Sequence, residues 1–178
     1  MTQQAPDVEL PNAGAGPDPL SLAELASRDD VEAIALLFQR DDYCLQCRCQ
    51  VQEVNERYAE FTTRNAWVVS LLPEERETAR KWVERYELMF PLLADPDHVA
   101  AEAYDQPTKF GKLGEAVDLV GRMPHAVVLD TREGALRPRY DHAGTSTGDR
   151  PSIDELLDTI TDVTGNEGVD PEEFERRA

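Results

Sequence analysis

Apolar runs of strand length alternate along the chain with segments whose apolar residues recur every three or four positions. The run Ala33–Phe38 is continuously apolar, and a short polar loop separates it from a helical pattern over Val51–Phe61. A continuous apolar run of this length predicts a strand covered on both faces. The three- and four-residue steps predict one face of a helix that continues to about Asn65.

The rest of the chain repeats this alternation. Capping-box spacings open two further helices, at Ser21 with Glu24 and at Ser152 with Glu155. Strands are predicted over 66–72, 92–94, 126–130 and about 135–142, and helices over about 74–87, 99–104 and 153–163. No element is predicted for 106–122.

The resulting order is β–α–β–α–β–α–β–β–α, with right-handed crossovers between parallel strands. It predicts a three-layer α/β/α sandwich with a mixed central sheet, which is the thioredoxin-like layout. At 178 residues the chain can form one domain with a sizeable core. We expect this domain to span 1–164 and the acidic segment 165–178 to be a flexible tail.

Acidic residues outnumber basic ones by 36 to 18, which gives a net charge of −18. Such a surface repels nucleic acid and anionic membranes, so neither is an expected partner. It suits a halophilic protein that stays hydrated in concentrated salt, where screening removes the self-repulsion. An ordinary acidic domain is the alternative.

The chain has no apolar run near 18 residues and no signal-peptide pattern at its start, which predicts a cytoplasmic protein without a membrane span. Its three cysteines, Cys44, Cys47 and Cys49, lie within six residues. Disulfide bonds among cysteines so close together cannot link distant parts of a fold. In a reducing compartment they indicate redox or metal chemistry.

Cys44 and Cys47 form a C-x-x-C pair at the predicted first turn of a helix, just past the end of a buried strand. A helix amino terminus offers free N–H groups and a positive dipole end, which stabilise a thiolate. Cys49 lies two residues further on, roughly 200° around the helix, and is not expected to share the site. A zinc site would need a fourth ligand, and no second C-x-x-C or paired histidine supplies one.

The segment Gly121–Asp130 resembles the part of thioredoxin-fold proteins in which a cis-proline precedes a core strand. The resemblance implies that Pro124 packs against the cysteine pair. Within that superfamily the chain most resembles the peroxiredoxin-related alkyl hydroperoxide reductase C / thiol-specific antioxidant family, over about residues 5–163. The stretches Ala5–Pro11, Leu20–Leu25 and Phe90–Asp95 carry this likeness.

The chain departs from that family where the family binds peroxide. Aligned on Phe38 with the family's P-x-x-x-T-x-x-C loop, Cys47 falls at the peroxidatic cysteine, Cys44 at the threonine and Arg40 at the proline. The family's peroxide-activating arginine aligns with Pro124. The peroxide-activating constellation is therefore not intact, and a thioredoxin-type pair with its proline stands in its place.

The resemblance implies a thiol oxidoreductase that acts through Cys44 and Cys47 and needs no bound cofactor or metal. In the thioredoxin interpretation Cys44 attacks a substrate disulfide and Cys47 resolves it. In the peroxiredoxin interpretation Cys47 attacks a peroxide and Cys44 condenses with the sulfenic acid. Both routes end in a Cys44–Cys47 disulfide and need an external thiol reductant, such as a thioredoxin system.

Other residues could position the substrate. Arg40, Arg48 and Arg122 could each stabilise a thiolate, and Arg122 is favoured because it precedes the proline expected to face the pair. Tyr43 resembles the aromatic residue that often precedes a C-x-x-C pair. The alternative function is a non-catalytic thioredoxin-like redox sensor or partner-binding module. The substrate, the reductant and the oligomeric state stay open.

Overall fold

The computed structural model describes residues 3–108, 121–170, 172, 173 and 176. Within them the strands are β1 (Glu9–Leu10), β2 (Leu20–Ser21), β3 (Ala33–Phe38), β4 (Ala66–Leu72), β5 (Leu92–Ala94), β6 (His125–Asp130) and β7 (Arg137–Ala143). The helices are α1 (Leu22–Ala26), α2 (Leu45–Glu56), α3 (Tyr58–Thr62), α4 (Arg76–Tyr86), α5 (Val99–Ala103) and α6 (Ile153–Thr164). Most of the segment 106–122, for which the sequence predicts no element, lies outside the described residues.

The central sheet has the strand order β5-β4-β3-β6-β7. β3 pairs in parallel with β4 and antiparallel with β6, so every residue of β3 lies between two neighbouring strands. β6 and β7 form an antiparallel hairpin at one edge. The predicted mixed sheet with a terminal hairpin is therefore confirmed, and β3 is its middle strand.

The sheet separates two apolar cores because successive side chains of a strand point to opposite faces. Leu37 and Ala35 point into the core that α2 and α6 cover, and both cysteines of the C-x-x-C pair belong to this core. Phe38 and Leu36 point into the other core, which the amino-terminal segment and α1 cover. Both faces of β3 are buried, as its uninterrupted apolar run predicts.

The helix after the cysteines differs from the prediction. The sequence pattern predicts one helix that ends near Asn65, but the structure divides it into α2 and α3 at Arg57, where φ is −109°. The Arg57 side chain forms ion pairs with Glu60 and with Asp154 on α6. The apolar periodicity continues across the break because Val54 and Phe61 both reach the core.

Both capping boxes are confirmed in part, since the Ser21 and Ser152 hydroxyls accept hydrogen bonds from the backbone N–H three residues ahead. After α6, the Asn166 amide donates to the Thr63 carbonyl at 3.3 Å. Residues 171, 174, 175, 177 and 178 of the predicted tail lie outside the described residues, so the domain boundary at 164 stays a prediction. No described helix is both long and apolar enough to span a membrane.

Candidate active site

The C-x-x-C pair lies where the middle strand of the sheet passes into α2. Cys44 is the N-cap of α2, and its sulfur accepts a hydrogen bond from the Cys47 N–H at 3.1 Å. The two residues form a disulfide with their Cα atoms 5.2 Å apart. Cys44 is 5% exposed and Cys47 is fully buried. The pair therefore opens to solvent only on the Cys44 side, and only slightly.

Arg150 is the side chain that brings positive charge to both sulfurs. Its Nη2 lies 2.9 Å from the Cys47 sulfur and 3.6 Å from the Cys44 sulfur. Arg150 belongs to the loop between β7 and α6, more than a hundred residues after the cysteines in the sequence. A guanidinium this close to a sulfur stabilises the thiolate form over the thiol once the disulfide is reduced.

Cys47 has a second hydrogen-bond donor, the backbone N–H of Arg40, at 3.3 Å. The Arg40 side chain donates through its Nε to the Arg122 carbonyl at 2.9 Å. Burial is the main cause that lowers the pKa of Arg150 to about 10, and repulsion by Arg40 adds to it. Arg150 still carries its charge at neutral pH and supplies it to the sulfurs.

A buried network of neutral polar groups supports Arg150. Its Nη1 donates to the side-chain oxygens of Gln39 at 3.0 Å and Gln50 at 2.8 Å. The Gln39 amide in turn donates to Gln50 Oε1 and to the Ser70 hydroxyl. Gln39 and Ser70 are fully buried. The arginine is therefore fixed by groups from β4, from α2 and from the loop after β3.

The loop that leads to Cys44 is held by Asp42. The Trp82 indole N–H donates to Asp42 Oδ1 at 2.6 Å, and the Asp42 carbonyl accepts from the Arg48 guanidinium. The Asp42 N–H donates to the Glu74 carboxylate at 3.1 Å. Arg48 also lies over the Trp82 ring, 5.7 Å from its centroid. These contacts tie the loop to α2 and α4.

The loop that carries Arg150 is held by its own hydrogen bonds. Asp149 accepts from the Thr145 N–H at 2.8 Å and lies 2.8 Å from His142 Nε2. The Gly144 N–H donates to the Pro124 carbonyl at 2.8 Å. A Cβ at Gly144 would lie 2.7 Å from the carbonyl oxygens of Pro124 and Asp149, which is closer than such contacts allow. Glycine is required here by close approach of the backbone.

The structure does not bring Arg122 to the cysteines. Its Nη1 donates to the Gln106 carbonyl at 3.2 Å, and it lines a shallow cleft beside α5. Pro124 immediately precedes β6, and the peptide bond before it is trans, because the one cis bond among the described residues joins Asp18 and Pro19. The expected cis-proline is therefore wrong: a trans proline suits the entry to a strand. Tyr43 is next to the pair and 89% exposed.

Arg150 was not among the arginines that the sequence singled out. Its only sequence signal is its place just before the Ser152 cap of the last helix, and the loop between Gly144 and Gly148 reads as a solvent-exposed connection. The contact depends on the hairpin β6–β7, whose return path brings this loop to the start of α2. That long-range proximity is a property of the sheet order and is not visible in local spacing.

Cys49 is a free, exposed thiol. It lines a shallow groove between α2 and the loop that carries Arg150. Among the described residues no three His, Cys, Asp or Glu side chains lie close enough together to hold a metal ion. The groups that this site supplies for chemistry are the sulfurs of Cys44 and Cys47.

Comparison with known sequences agrees with this chemistry. The AhpC/TSA family model matches residues 1–136. The chain is 28% identical over 103 residues to the peroxiredoxin Bcp of Bacillus subtilis, a match that covers 58% of this chain and 62% of that protein. It is 29% identical over 113 residues to a putative peroxiredoxin bcp of Helicobacter pylori, which covers 62% of this chain and 70% of the other. The match thus spans less than two thirds of the Bacillus protein.

Solved structures give the same fold. The peroxidoxin BcpB from Mycobacterium tuberculosis superposes with a TM-score of 0.69 at 20% identity, over 91% of this chain and 96% of its own. The reduced 2-Cys peroxiredoxin from Plasmodium vivax superposes with a TM-score of 0.73 at 14% identity, over 93% and 97%. These likenesses confirm the predicted thioredoxin-like α/β fold.

Proposed function

The chain belongs to the AhpC/TSA family, as its sequence predicts, and we propose that it is a thiol peroxidase in which Cys47 attacks the peroxide and Cys44 resolves the product. The observation that carries the proposal is the environment of the Cys47 sulfur. It is fully buried, 2.9 Å from Arg150 Nη2 and 3.3 Å from the Arg40 N–H.

Two features favour Cys47 as the attacking thiolate. It has both a cation and a backbone donor, whereas Cys44 is 3.6 Å from Arg150 and accepts a hydrogen bond from the Cys47 N–H in the first turn of α2. The same donors can stabilise the negative charge on the departing alkoxide or hydroxide. The burial of this sulfur also favours a small oxidant such as a peroxide over a folded protein disulfide, which is too large to reach it.

The proposed cycle has three steps. The Cys47 thiolate attacks one peroxide oxygen, the O–O bond breaks, and the products are Cys47 sulfenic acid and an alkoxide that takes up a proton to leave as an alcohol or water. The Cys44 thiol then condenses with the sulfenic acid, releasing water and forming the disulfide. An external dithiol reduces this disulfide by exchange, and its own thiols become a disulfide.

We propose that the reductant attacks Cys44, the sulfur nearer the surface. Tyr43 and Leu45, which are 89% and 70% exposed on either side of it, give a protein reductant an apolar surface to contact. A thioredoxin-type dithiol protein fits this requirement. The net charge of −18 supports a cytoplasmic protein of a cell with high internal salt. We also propose one domain over 1–164 with an acidic tail after it.

A second candidate is a disulfide reductase in which Cys44 attacks first. The exposed Tyr43 and Leu45 favour it, since they are placed to contact a protein substrate as readily as a protein reductant. A redox sensor would use the same pair without rapid turnover.

Stopped-flow measurement of the reduced protein with hydrogen peroxide, and separately with a model disulfide, distinguishes these functions. A peroxidase consumes peroxide rapidly in wild type and in Cys49→Ser, and loses that reaction in Cys47→Ser. A disulfide reductase would instead react slowly with peroxide and rapidly with the model disulfide in wild type, and Cys44→Ser would lose that disulfide exchange. A sensor would oxidise once and not cycle with an added thioredoxin system.

A further inference from the structure

Arg150 is held by amide oxygens rather than by carboxylates. Its Nη1 binds the side-chain oxygens of Gln39 and Gln50, and among the described residues it forms no ion pair with an acidic group. Arg132 and Arg139, by contrast, share the Asp130 carboxylate. Arg150 thus has neutral hydrogen-bond partners although the chain carries 36 acidic residues.

The distinction matters because a carboxylate and an amide accept the same hydrogen bond with different consequences for charge. A glutamate beside Arg150 would compensate its positive charge in a poorly solvated place, where such pairing is strong. An amide oxygen also fixes the position of the guanidinium, though with a weaker bond than a carboxylate, and leaves the charge to act on its remaining neighbours. Those neighbours are the two sulfurs, which Nη2 faces.

We propose that Gln39 and Gln50 are positioning residues that hold Arg150 against Cys47 while leaving its charge uncompensated, and that this neutrality favours the Cys47 thiolate and the reduced form of the pair. The proposal rests on the proposed role of Cys47. Neither glutamine touches a sulfur, so both act through the arginine.

Two other charged groups near the start of α2 have partners of their own. Arg40 directs its guanidinium to the Arg122 carbonyl, and Asp42 is occupied by the Trp82 indole and by Arg48. Glu53 lines the outer groove, where water screens it. Gln50, like Gln39, is thus a position at which one added negative charge would reach Arg150 directly.

The test is Gln50→Glu in a full-length background in which Cys44→Ser and Cys49→Ser leave Cys47 as the single thiol. The variant keeps an acceptor oxygen for Arg150 and changes the charge. We expect the pKa of the Cys47 thiol, followed by thiolate absorbance during titration, to rise by about one unit. Gln52→Glu, which adds the same charge at an exposed position of α2, should shift it by much less.

With both active-site cysteines present, Gln50→Glu should also make the reduction potential of the disulfide more negative, because the reduced state loses stabilisation. Gln39→Glu provides a second variant should Gln50→Glu fail to fold. Equal shifts of the Cys47 pKa in Gln50→Glu and Gln52→Glu would overturn the proposal. An unchanged Cys47 pKa in both Gln39→Glu and Gln50→Glu would overturn it as well. These titrations do not use peroxide, so they decide the role of the glutamines even if wild type proves not to be a peroxidase.

Discussion

Removal of the Arg150 guanidinium should destabilise the Cys47 thiolate, and so raise the pKa of the thiol, more than removal of any other arginine near the pair. Arg150→Met keeps most of the length and apolar volume of the side chain and removes the guanidinium that lies 2.9 Å from the Cys47 sulfur. Arg122→Met is the matched control, because Arg122 loses the same charge but donates to the Gln106 carbonyl instead. The sequence favours Arg122 as the arginine near the cysteines, whereas the structure places Arg150 there. The two variants therefore also test which of these two arginines acts on Cys47.

The size of the effect follows from the geometry. Two unit charges about 4 Å apart at an effective dielectric constant of about 20 attract by ~4 kcal/mol, which corresponds to a ceiling of about three pKa units. The guanidinium charge is delocalised and partly open to solvent, which reduces the attraction. We therefore expect Arg150→Met to raise the pKa of the Cys47 thiol by about 1–2 units, within the usual effect of an adjacent cation.

The assay is a titration of thiolate absorbance in the full-length protein with Cys47 as its single thiol. The rate of reaction with hydrogen peroxide at neutral pH should fall along with the thiolate fraction, and further if the arginine also stabilises the departing oxygen. An unchanged pKa of Cys47 in Arg150→Met would refute the assigned role of the arginine. So would a shift in Arg122→Met as large as that in Arg150→Met.

Three further predictions concern the scaffold. Trp82→Phe removes the indole hydrogen bond to Asp42 and should lower the free energy of unfolding in urea by about 1–3 kcal/mol; an unchanged midpoint would show that this contact does not stabilise the loop. The Asp130 carboxyl has its pKa lowered to about 2, chiefly by hydrogen bonds from Arg132. Its contribution to stability is therefore present above about pH 4 and is lost as the pH falls through about 2, so Asp130→Asn should be less stable at neutral pH and lose less stability over that acid range. Parallel stability curves for wild type and Asp130→Asn would contradict this. Gly144→Ala places a Cβ 2.7 Å from two backbone carbonyl oxygens and should displace the loop that carries the active-site arginine, which lowers the peroxide rate and the melting temperature together; wild-type values for both would show that the loop adapts.

The sequence was sufficient to predict most of the fold because its main elements are locally marked. The apolar run of β3 and the capping serines of α1 and α6 are local signals, and the structure confirms the elements that they predict. The break at Arg57 was not predicted because the apolar face continues across it. At the break the Arg57 side chain forms ion pairs with Glu60 and with Asp154 on α6, and periodicity does not reveal such contacts.

The candidate site divides in the same way. Cys44 and Cys47 are only three positions apart in the sequence, so their pairing could be predicted from spacing and helix position. Arg150 reaches them only through the strand order that folds the β6–β7 hairpin back along β3. Arg122 instead donates to the Gln106 carbonyl. Long-range contacts of this kind require the sheet topology and side-chain directions, which one sequence does not supply.

The most direct test of the central claim is to identify which sulfur a peroxide oxidises first. Full-length Cys44→Ser, reduced and treated with one equivalent of hydrogen peroxide in the presence of a sulfenic-acid trap, should carry the trapped adduct on Cys47 when its peptides are analysed by mass spectrometry. Cys47→Ser treated in the same way should give little adduct on Cys44 or Cys49. An adduct that forms on Cys44 in Cys47→Ser as fast as on Cys47 in Cys44→Ser would contradict the assignment of Cys47 as the attacking thiolate.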